Sequence, residues 1–299
     1  MINFRATLSK ANKRLPLKLA ATLLAGSSLV ASLLGLFRDR LLNGLYYTTY
    51  PTGIDAYTVA FTIPDFMFFI LVSGALSVTF IPVFNQRLAT GNKKSAWELS
   101  TSLLNLLALV TLAVSILIIV FADPLVRYVV GPGLDESSRS LAVSMMRVIA
   151  INPFLFAVAT VFASMQQAVG RFAFFALAPV LYNIGIIIGA LFFTNGITLF
   201  GVPVFDGGIM GVALGVVLGS ILQLIVSSLG LYGMGFDYRF KIYWKNKGLR
   251  QVLRLLPPRS LDQGIDYVNS IVETNLASRM AAGSVRAYQQ ATSLSFVPI

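Results

Sequence analysis

Long apolar runs alternate with short polar segments along most of the chain. Runs of about 18 or more apolar residues are long enough for a helix to cross the hydrocarbon core of a membrane. We therefore predict an all-α protein, a polytopic bundle of transmembrane helices. The six runs that meet this length lie at about 19–37, 55–84, 97–121, 138–167, 172–194 and 207–235.

Glycine marks both a connection and a helix surface in the second half of this pattern. Residues 195–208, which join the fifth and sixth runs, are expected to form a loop. The sixth run repeats glycine at every fourth position, at Gly207, Gly211, Gly215 and Gly219. Such a stripe permits close packing against another helix, and this structural role is the one we expect.

Polarity rises after residue 235. Residues 236–254 combine basic and aromatic side chains, which is typical of an amphipathic segment on an anionic membrane surface. Anchoring is the favoured interpretation, and lipid recognition stays open beside it. A seventh segment, at about 252–280, is unusually polar, and Pro257-Pro258 are expected to break or bend its start. An eighth begins near Gly283 and reaches the last residue in mid-helix, so we expect a C-terminally truncated chain.

Composition supports the membrane assignment. Hydrophobic residues make up 56% of the 299 residues and charged residues 12%, with a mean hydropathy of +0.78, whereas a soluble domain is about one quarter charged. The formal net charge is +11, which in a soluble protein would suggest nucleic acid. Here the basic residues are interpreted as topological anchors. They are concentrated in the segments on the side of the N-terminus, which predicts a cytoplasmic N-terminus.

The chain contains neither cysteine nor histidine. Disulfides, thiol nucleophiles, histidine bases and the commonest metal ligands are thereby excluded. No Walker A pattern, GxSxG motif or metal-ligand cluster occurs in the sequence. We therefore expect neither an ATP-driven pump on its own nor an enzyme, and we expect no cofactor and no metal site. The identity of any coupling cation stays unknown.

The second run carries polar residues on one side. Asp55, Thr58, Thr62 and Asp65 are spaced by three and four residues, which places them on one helical face. A charge within hydrocarbon costs about 3 kcal/mol, so this face is expected to border a wet cavity. Pro64 interrupts the same helix, and broken helices often line transport sites. Two simpler roles stay open: Asp55 as the N-cap of its helix, and Asp65 as the partner of an arginine.

Arg38 and Arg40 flank Asp39 at the end of the first run. Arginines at a helix end can extend their head groups to the membrane surface and interact with the helix dipole. A guanidinium is also well shaped to bind phosphate or pyrophosphate. On the residues alone, both interpretations stay open.

The seventh segment carries a second polar stripe. Its members are spaced by three and four residues and are Arg259, Asp262, Asp266, Asn269 and Glu273. A stripe this polar cannot face lipid, so we favour a helix that lines an aqueous cavity. A buried ion-pair network, for example Arg259 with Asp262 or Asp266, is the alternative.

Several segments resemble the MurJ (MviN) family of lipid II flippases, in the order in which the family has them. The similarity is carried by GLFRDRLL, DAYTVAFTIPDF and SGALSVTFIPVF, and by later segments at 166–189, 208–226 and 276–299. The family belongs to the multidrug, oligosaccharidyl-lipid and polysaccharide exporter superfamily. The resemblance implies two six-helix lobes around a central cavity, plus two further helices. This chain would comprise the first lobe (1–235), a basic amphipathic cytoplasmic linker (236–254) and the start of the second lobe (255–299).

The resemblance also implies a function. Family members move lipid II, the undecaprenyl-pyrophosphate-linked precursor of peptidoglycan, from the inner to the outer leaflet of the bacterial cytoplasmic membrane. They do so by alternating access, driven by the membrane potential. Lipid II and membrane lipids would be the partners, nucleic acid would not, and the full-length protein would be a monomer. Two alternatives stay open: a flippase for another polyprenyl-linked glycan or a related drug exporter, and a non-transporting membrane scaffold of the cell envelope.

Only part of the family's polar cavity is present at matching positions. Arg38 matches a family arginine of the cavity, and Asp55 matches an aspartate that is needed for function. Well-studied members carry arginine at three positions where this chain differs, namely Ser32, Phe68 and Ser293. The cavity is therefore expected to be less basic, and we hypothesise that Arg259 supplies a replacement positive charge opposite Arg38. The resulting substrate-binding candidates are Arg38, Asp55, Asp65, Arg259, Asp262 and Asp266.

Overall fold

The computed structural model describes the backbone of residues 12, 14–73, 76–199 and 202–295. Side chains are described at the same residues except 17, 73, 77–78, 197–199, 202–204, 259–263 and 266. Most of the described chain is helical. The α-helices are α1 (Leu17–Tyr46), α2 (Pro51–Phe68), α3 (Ile81–Ala89), α4 (Lys93–Pro124), α5 (Glu136–Ile149), α6 (Asn152–Ala168), α7 (Ala173–Phe192), α8 (Met210–Leu229), α9 (Lys247–Ser278) and α10 (Ser284–Ser295).

Six helical stretches in the described residues are long and apolar enough to cross a membrane, which confirms the six predicted spans. Large apolar side chains cover their outer surfaces. Leu29 on α1 and Val120 on α4, for example, are each 62% exposed. Such a surface is what a membrane helix presents to lipid. The spans are Lys18–Tyr46, Pro51–Val72, Lys93–Val130, Glu136–Ala168, Ala173–Asn195 and Met210–Leu229.

The second span changes its helix type instead of breaking at Pro64. α2 continues through Pro64 to Phe68, and π-helix follows over Phe69–Ser73 and again over Leu76–Phe80 before α3 begins. Pro64 has no N–H, so the carbonyl of Ala60 lacks its usual helical partner. π-Helical turns are frequent at functional sites in helices. The sequence predicted an interruption at Pro64. The observed change to π-helix begins after the proline, at Phe69, and the span is continuous up to Ser73.

The fourth span is divided into two helices. α5 ends at Ile149, α6 begins at Asn152, and Pro153 lies in the first turn of α6, where a missing N–H costs nothing. The hydroxyl of Ser220 on α8 donates to the side-chain carbonyl of Asn152 at 2.9 Å. The break is therefore fixed by a contact with a neighbouring helix.

α7 and α8 approach each other through glycines on both helices. A Cβ atom at Gly185 would lie 2.3 Å from the Cα atom of Gly219, and one at Gly189 would lie 2.4 Å from the Cα atom of Gly215. No side chain fits at these distances, so the predicted packing role of the glycine stripe is confirmed here. Gly207 is different, because it lies in the turn before α8 with a φ of +89°.

Residues 195–208 contain a short hairpin, so the prediction of a plain loop is wrong. β1 (Ile197–Leu199) pairs antiparallel with β2 (Val202–Phe205), and Leu199 lies opposite Val202. Strands of three and four residues contain too few alternations for their period to be read from the sequence.

Residues 236–246 form a segment without α-helix that is hydrogen-bonded along α4. The side-chain amide of Asn105 donates to the carbonyls of Arg239 and Lys241, at 2.9 and 3.1 Å. The hydroxyl of Ser102 accepts from the N–H of Tyr243 at 2.8 Å. The α4 residues that bond to this segment share one face of the helix and are Ser95, Glu98, Ser102 and Asn105.

α9 begins inside the predicted linker and is a single helix of 32 residues. Asn246 caps it, because its side-chain carbonyl accepts the N–H groups of Gly248 and Leu249 at 2.9 and 3.4 Å. Pro257 and Pro258 lie within the helix, so of the predicted break or bend at its start, the break is wrong and the bend stays a prediction. Proline is tolerated in helices of membrane proteins where neighbouring elements satisfy the backbone, and α9 packs against the π-helical part of the second span.

Candidate functional site

A polar cavity of about 690 Å³ lies between α2, α9 and α10. The polar face of the second run contributes Thr58, Thr62 and Asp65, and the stripe of the seventh segment contributes Asn269 and Glu273. The two stripes therefore border the same space. The remaining polar lining consists of Tyr267, Ser270, Thr274, Tyr288, Gln289, Thr292 and Ser293.

The described lining of this cavity is acidic. It includes the carboxyl groups of Asp65 and Glu273, and no lysine or arginine is among its described side chains. The hydroxyl of Tyr288 donates to Glu273. One turn from Asp65, the ring of Phe69 stacks on Tyr267 with a centroid distance of 4.3 Å. The expectation of a cavity less basic than that of the family stays a prediction.

Asp55 is buried outside the cavity lining, 3% exposed, and caps a different helix. Its Oδ2 atom accepts the N–H of Gly283 at 2.6 Å, and its Oδ1 atom accepts the N–H of Arg286 at 2.9 Å. These donors lie at the start of α10, where N–H groups have no helical partner. The interpretation of Asp55 as the cap of its own helix is wrong, because α2 begins four residues earlier, at Pro51.

Asp39 of α1 binds arginines from two helices. Its Oδ1 atom accepts from the Nη2 atom of Arg38 at 3.1 Å and from the Nη2 atom of Arg286 at 3.2 Å. Arg286 is 3% exposed, and its Nε atom donates to Asn43 at 2.9 Å. We call Arg38, Asp39, Asn43 and Arg286 the Asp39 cluster. Loss of the carboxylate would leave buried positive charge without compensation.

Arg38 lies within α1 and not at its end, because the helix continues for eight residues to Tyr46. Its Nη1 atom donates to the side-chain carbonyl of Asn183 on α7 at 3.1 Å. The guanidinium is therefore held inside the bundle, and the helix-end interpretation is wrong for this residue. Arg40 is exposed.

The sequence analysis missed Arg286. It lies at the start of the eighth segment, where no apolar run surrounds it and no charge of opposite sign is near in the sequence. The residues of α1 that Arg286 contacts did carry a signal in the sequence. Asp39 and Asn43 are four residues apart, which places two polar groups on one face of an otherwise apolar helix.

The remaining candidates are placed only in part. The side chains of Arg259, Asp262 and Asp266 lie outside the described residues, although their backbone belongs to α9. Of the three positions that depart from the family, Ser293 lines the cavity, Ser32 is exposed on α1, and Phe68 packs edge-on against Phe156 with a centroid distance of 5.4 Å. Among the described residues, no group of acidic side chains is arranged to hold a metal ion.

The family model described as lipid II flippase MurJ matches residues 51–299. Among curated proteins, the probable lipid II flippase MurJ of Buchnera aphidicola subsp. Schizaphis graminum is 27% identical over 274 residues, which are 91% of this chain and 51% of the relative. That of Bdellovibrio bacteriovorus is 28% identical over 286 residues, 94% of this chain and 52% of the relative. The chain thus spans about half the length of the curated relatives it matches.

Solved structures share the fold of this chain. A lipid II flippase MurJ in an inward closed conformation has a TM-score of 0.74 and 24% identity, over 93% of this chain and 55% of that one. A superfamily transporter from Pyrococcus furiosus, whose title reports reversed polarity of its binding pocket, has a TM-score of 0.67 and 20% identity, over 98% of this chain and 60% of that one. The predicted all-α, MurJ-like exporter fold is confirmed.

Proposed function

The chain belongs to the lipid II flippase MurJ family, and on this premise we propose that it moves lipid II from the inner to the outer leaflet of the bacterial cytoplasmic membrane by alternating access. The supporting observation is the polar cavity between α2, α9 and α10, with buried polar contacts at one end. A carrier of a polar head group needs a cavity shielded from hydrocarbon. Alternating access also needs a contact that closes one end of the cavity reversibly.

We assign the closing contact to the Asp39 cluster and the Asp55 cap. Separation of α10 from α1 and α2 would remove Arg286 from Asp39 and two N–H groups from Asp55. Breaking a buried ion pair costs about 3–5 kcal/mol, so the closed arrangement would dominate until substrate or other helices supply replacement contacts. With the N-terminus in the cytoplasm, as predicted, this end of the cavity faces the outside of the cell.

Substrate contacts are proposed for the cavity lining. Hydroxyl and amide groups such as those of Thr58, Thr62 and Asn269 suit the sugars and peptide of the head group. Arg38 would bind pyrophosphate only after it releases Asp39. Asp55, which is buried, would act by positioning α10. The further proposed charged contacts are Asp65, Arg259, Asp262 and Asp266. The full-length protein is proposed to act as a monomer.

The acidity of the described lining favours a second candidate. A cavity with Asp65 and Glu273 and no described basic lining would attract a cation more readily than a pyrophosphate. The second candidate function is therefore export of a cationic amphiphile by the same alternating movement.

Rescue of bacteria depleted of their own lipid II flippase tests the proposal. The full-length protein should restore growth and the arrival of lipid II at the outer leaflet. The same protein with Asp206→Asn should rescue equally well, because this exposed position lies outside both the cavity and the Asp39 cluster. A correctly inserted protein that leaves lipid II inside but lowers the accumulation of a fluorescent cationic dye would establish the second candidate instead.

A further inference from the structure

A second cavity lies where α3 and α4 meet the segment 236–246, and it shares no lining residue with the first. Its volume is about 800 Å³. We call it the linker cavity. Five basic side chains and one carboxylate contribute to its lining: Arg87, Lys94, Lys241, Lys245, Lys247 and Glu98.

The linker cavity carries an excess of positive charge, and within the described part of the chain none of its five basic residues forms an ion pair. Arg87 donates from Nη1 to the hydroxyl of Ser95 at 2.6 Å, while its buried Nε atom has no hydrogen-bond partner there. The guanidinium also lies against the first turn of α9, where a Cβ atom at Gly248 would be 2.4 Å from Nε. The start of a helix is itself partly positive, so the site favours an anion.

An apolar groove of about 250 Å³ adjoins the linker cavity. The two share Lys241, Ile242 and Trp244, and Leu109 and Phe240 extend the groove along α4. Phe240 is 77% exposed and Trp244 55% exposed. Apolar and aromatic side chains beside a basic pocket match the two ends of a phospholipid, with acyl chain and phosphate side by side.

We propose that the linker cavity binds an anionic phospholipid of the surrounding leaflet. Its phosphate lies among Arg87, Lys94 and Lys245, and an acyl chain follows Leu109 and Phe240. A zwitterionic lipid would not neutralise the excess charge, and a free phosphate ion would leave the groove empty. The lipid would bridge α4 and the segment that leads into α9, at a site separate from the proposed transport cavity.

The two tryptophans of the chain permit a direct test. Trp97 packs between Phe84 and Phe236, and Trp97→Phe leaves Trp244 as the single reporter. We would titrate this 299-residue variant in detergent with phosphatidylglycerol brominated on its acyl chains, and separately with brominated phosphatidylcholine. Saturable quenching should occur at about tenfold lower concentration for phosphatidylglycerol, which corresponds to about 1.4 kcal/mol. Equal quenching by both lipids would show unspecific contact with surrounding lipid and overturn the proposal.

Charge variants locate the site. Arg87→Gln and, separately, Lys245→Gln should each weaken quenching by phosphatidylglycerol about tenfold. Lys245 is exposed, so its variant tests the site even where Arg87→Gln impairs folding. The matched control is Lys93→Gln, which removes one charge beside Lys94 but outside the lining. An equal loss in the control would indicate diffuse surface charge, and full displacement of the lipid by inorganic phosphate at the same concentration would indicate a phosphate site; either would overturn the lipid assignment.

Discussion

Two interfaces of this bundle are built in opposite ways. α7 and α8 meet through glycine backbone, with Gly189 and Gly215 too close for any side chain. α10 is bound to α1 and α2 through two carboxylates, Asp39 and Asp55. Close backbone packing has one good arrangement, whereas hydrogen bonds and ion pairs can be exchanged for others with water or substrate. The first interface suits a rigid part of a lobe, and the second suits a contact that opens.

We expect the largest effect at the interface of α10 with α1 and α2. Asp39→Asn removes the charge shared by Arg38 and Arg286 and should destabilise the closed contact by about 3 kcal/mol, which is on the order of a 100-fold change in population. Because the chain has no cysteine, a single Val285→Cys in the buried lining can report opening. Labelling of this introduced thiol by an aqueous reagent should accelerate accordingly.

The control for this prediction is Glu136→Gln. It removes an ion pair with Arg139 in which the carboxylate side chain is 84% exposed, and such pairs contribute little. Labelling of the thiol at position 285 should stay unchanged in the control. Unchanged labelling in Asp39→Asn as well would show that the Asp39 cluster does not hold the interface closed.

Substitution at the interface of α7 with α8 should have a different effect. Gly189→Ala places a methyl group against the backbone of α8, which cannot rotate away, and overpacking of this kind costs about 1–3 kcal/mol. We expect a lower melting temperature of the purified chain without faster labelling of the thiol at position 285. Gly44→Ala, where nothing lies within 4 Å of the new atom, should melt like the parent. Faster labelling in Gly189→Ala would mean that the two interfaces are coupled.

The Asp55 cap should have a smaller and local effect. Asp55→Asn retains one acceptor oxygen and loses the other together with the charge, so the start of α10 should be destabilised by about 1 kcal/mol. Hydrogen–deuterium exchange of the N–H groups of Gly283 and Arg286 should become several times faster. Asp206→Asn is the matched control, and equal exchange rates in the two variants would contradict a capping role.

We expect the smallest effect at Asp135. Unlike Asp55, which is buried and caps a different helix, Asp135 caps its own helix, α5, on the surface. Hydrogen bonds from the hydroxyl of Ser137 and from Ser138 lower the pKa of Asp135 to about 2. The cap is therefore complete above about pH 4, the ordinary pKa of an aspartate, and is lost as the pH falls through about 2. Asp135→Ala should lower stability by up to about 1 kcal/mol at pH 7.

Melting temperatures of Asp135→Ala and its parent at several pH values check this prediction. The difference between them should be constant from about pH 7 to pH 5 and should shrink toward about pH 2. Glu136→Gln serves again as the control, since that carboxylate makes no capping bond. A difference that persists undiminished at the lowest pH would mean that the charge of Asp135 does not contribute to the cap.

The candidate site was predictable where it depended on spacing within one helix. Asp65 and Glu273 each belong to a stripe spaced by three and four residues, and both stripes border the cavity. The partners across helices were not predictable. The N–H that Asp55 accepts from Gly283 lies 228 positions along the chain, and no local pattern connects the two residues.

The sequence by itself determined the membrane spans, the polar faces of the second and seventh segments, and the glycine stripe of the sixth. Each of these depends on apolar length or on helical period, which are local properties of the chain. Only the tertiary structure decided that Asp55 caps α10, that Asp39 joins Arg38 to Arg286, and that the linker cavity gathers basic residues from four segments. Ion pairs and caps depend on distances between helices, and those distances arise only when the whole bundle has packed.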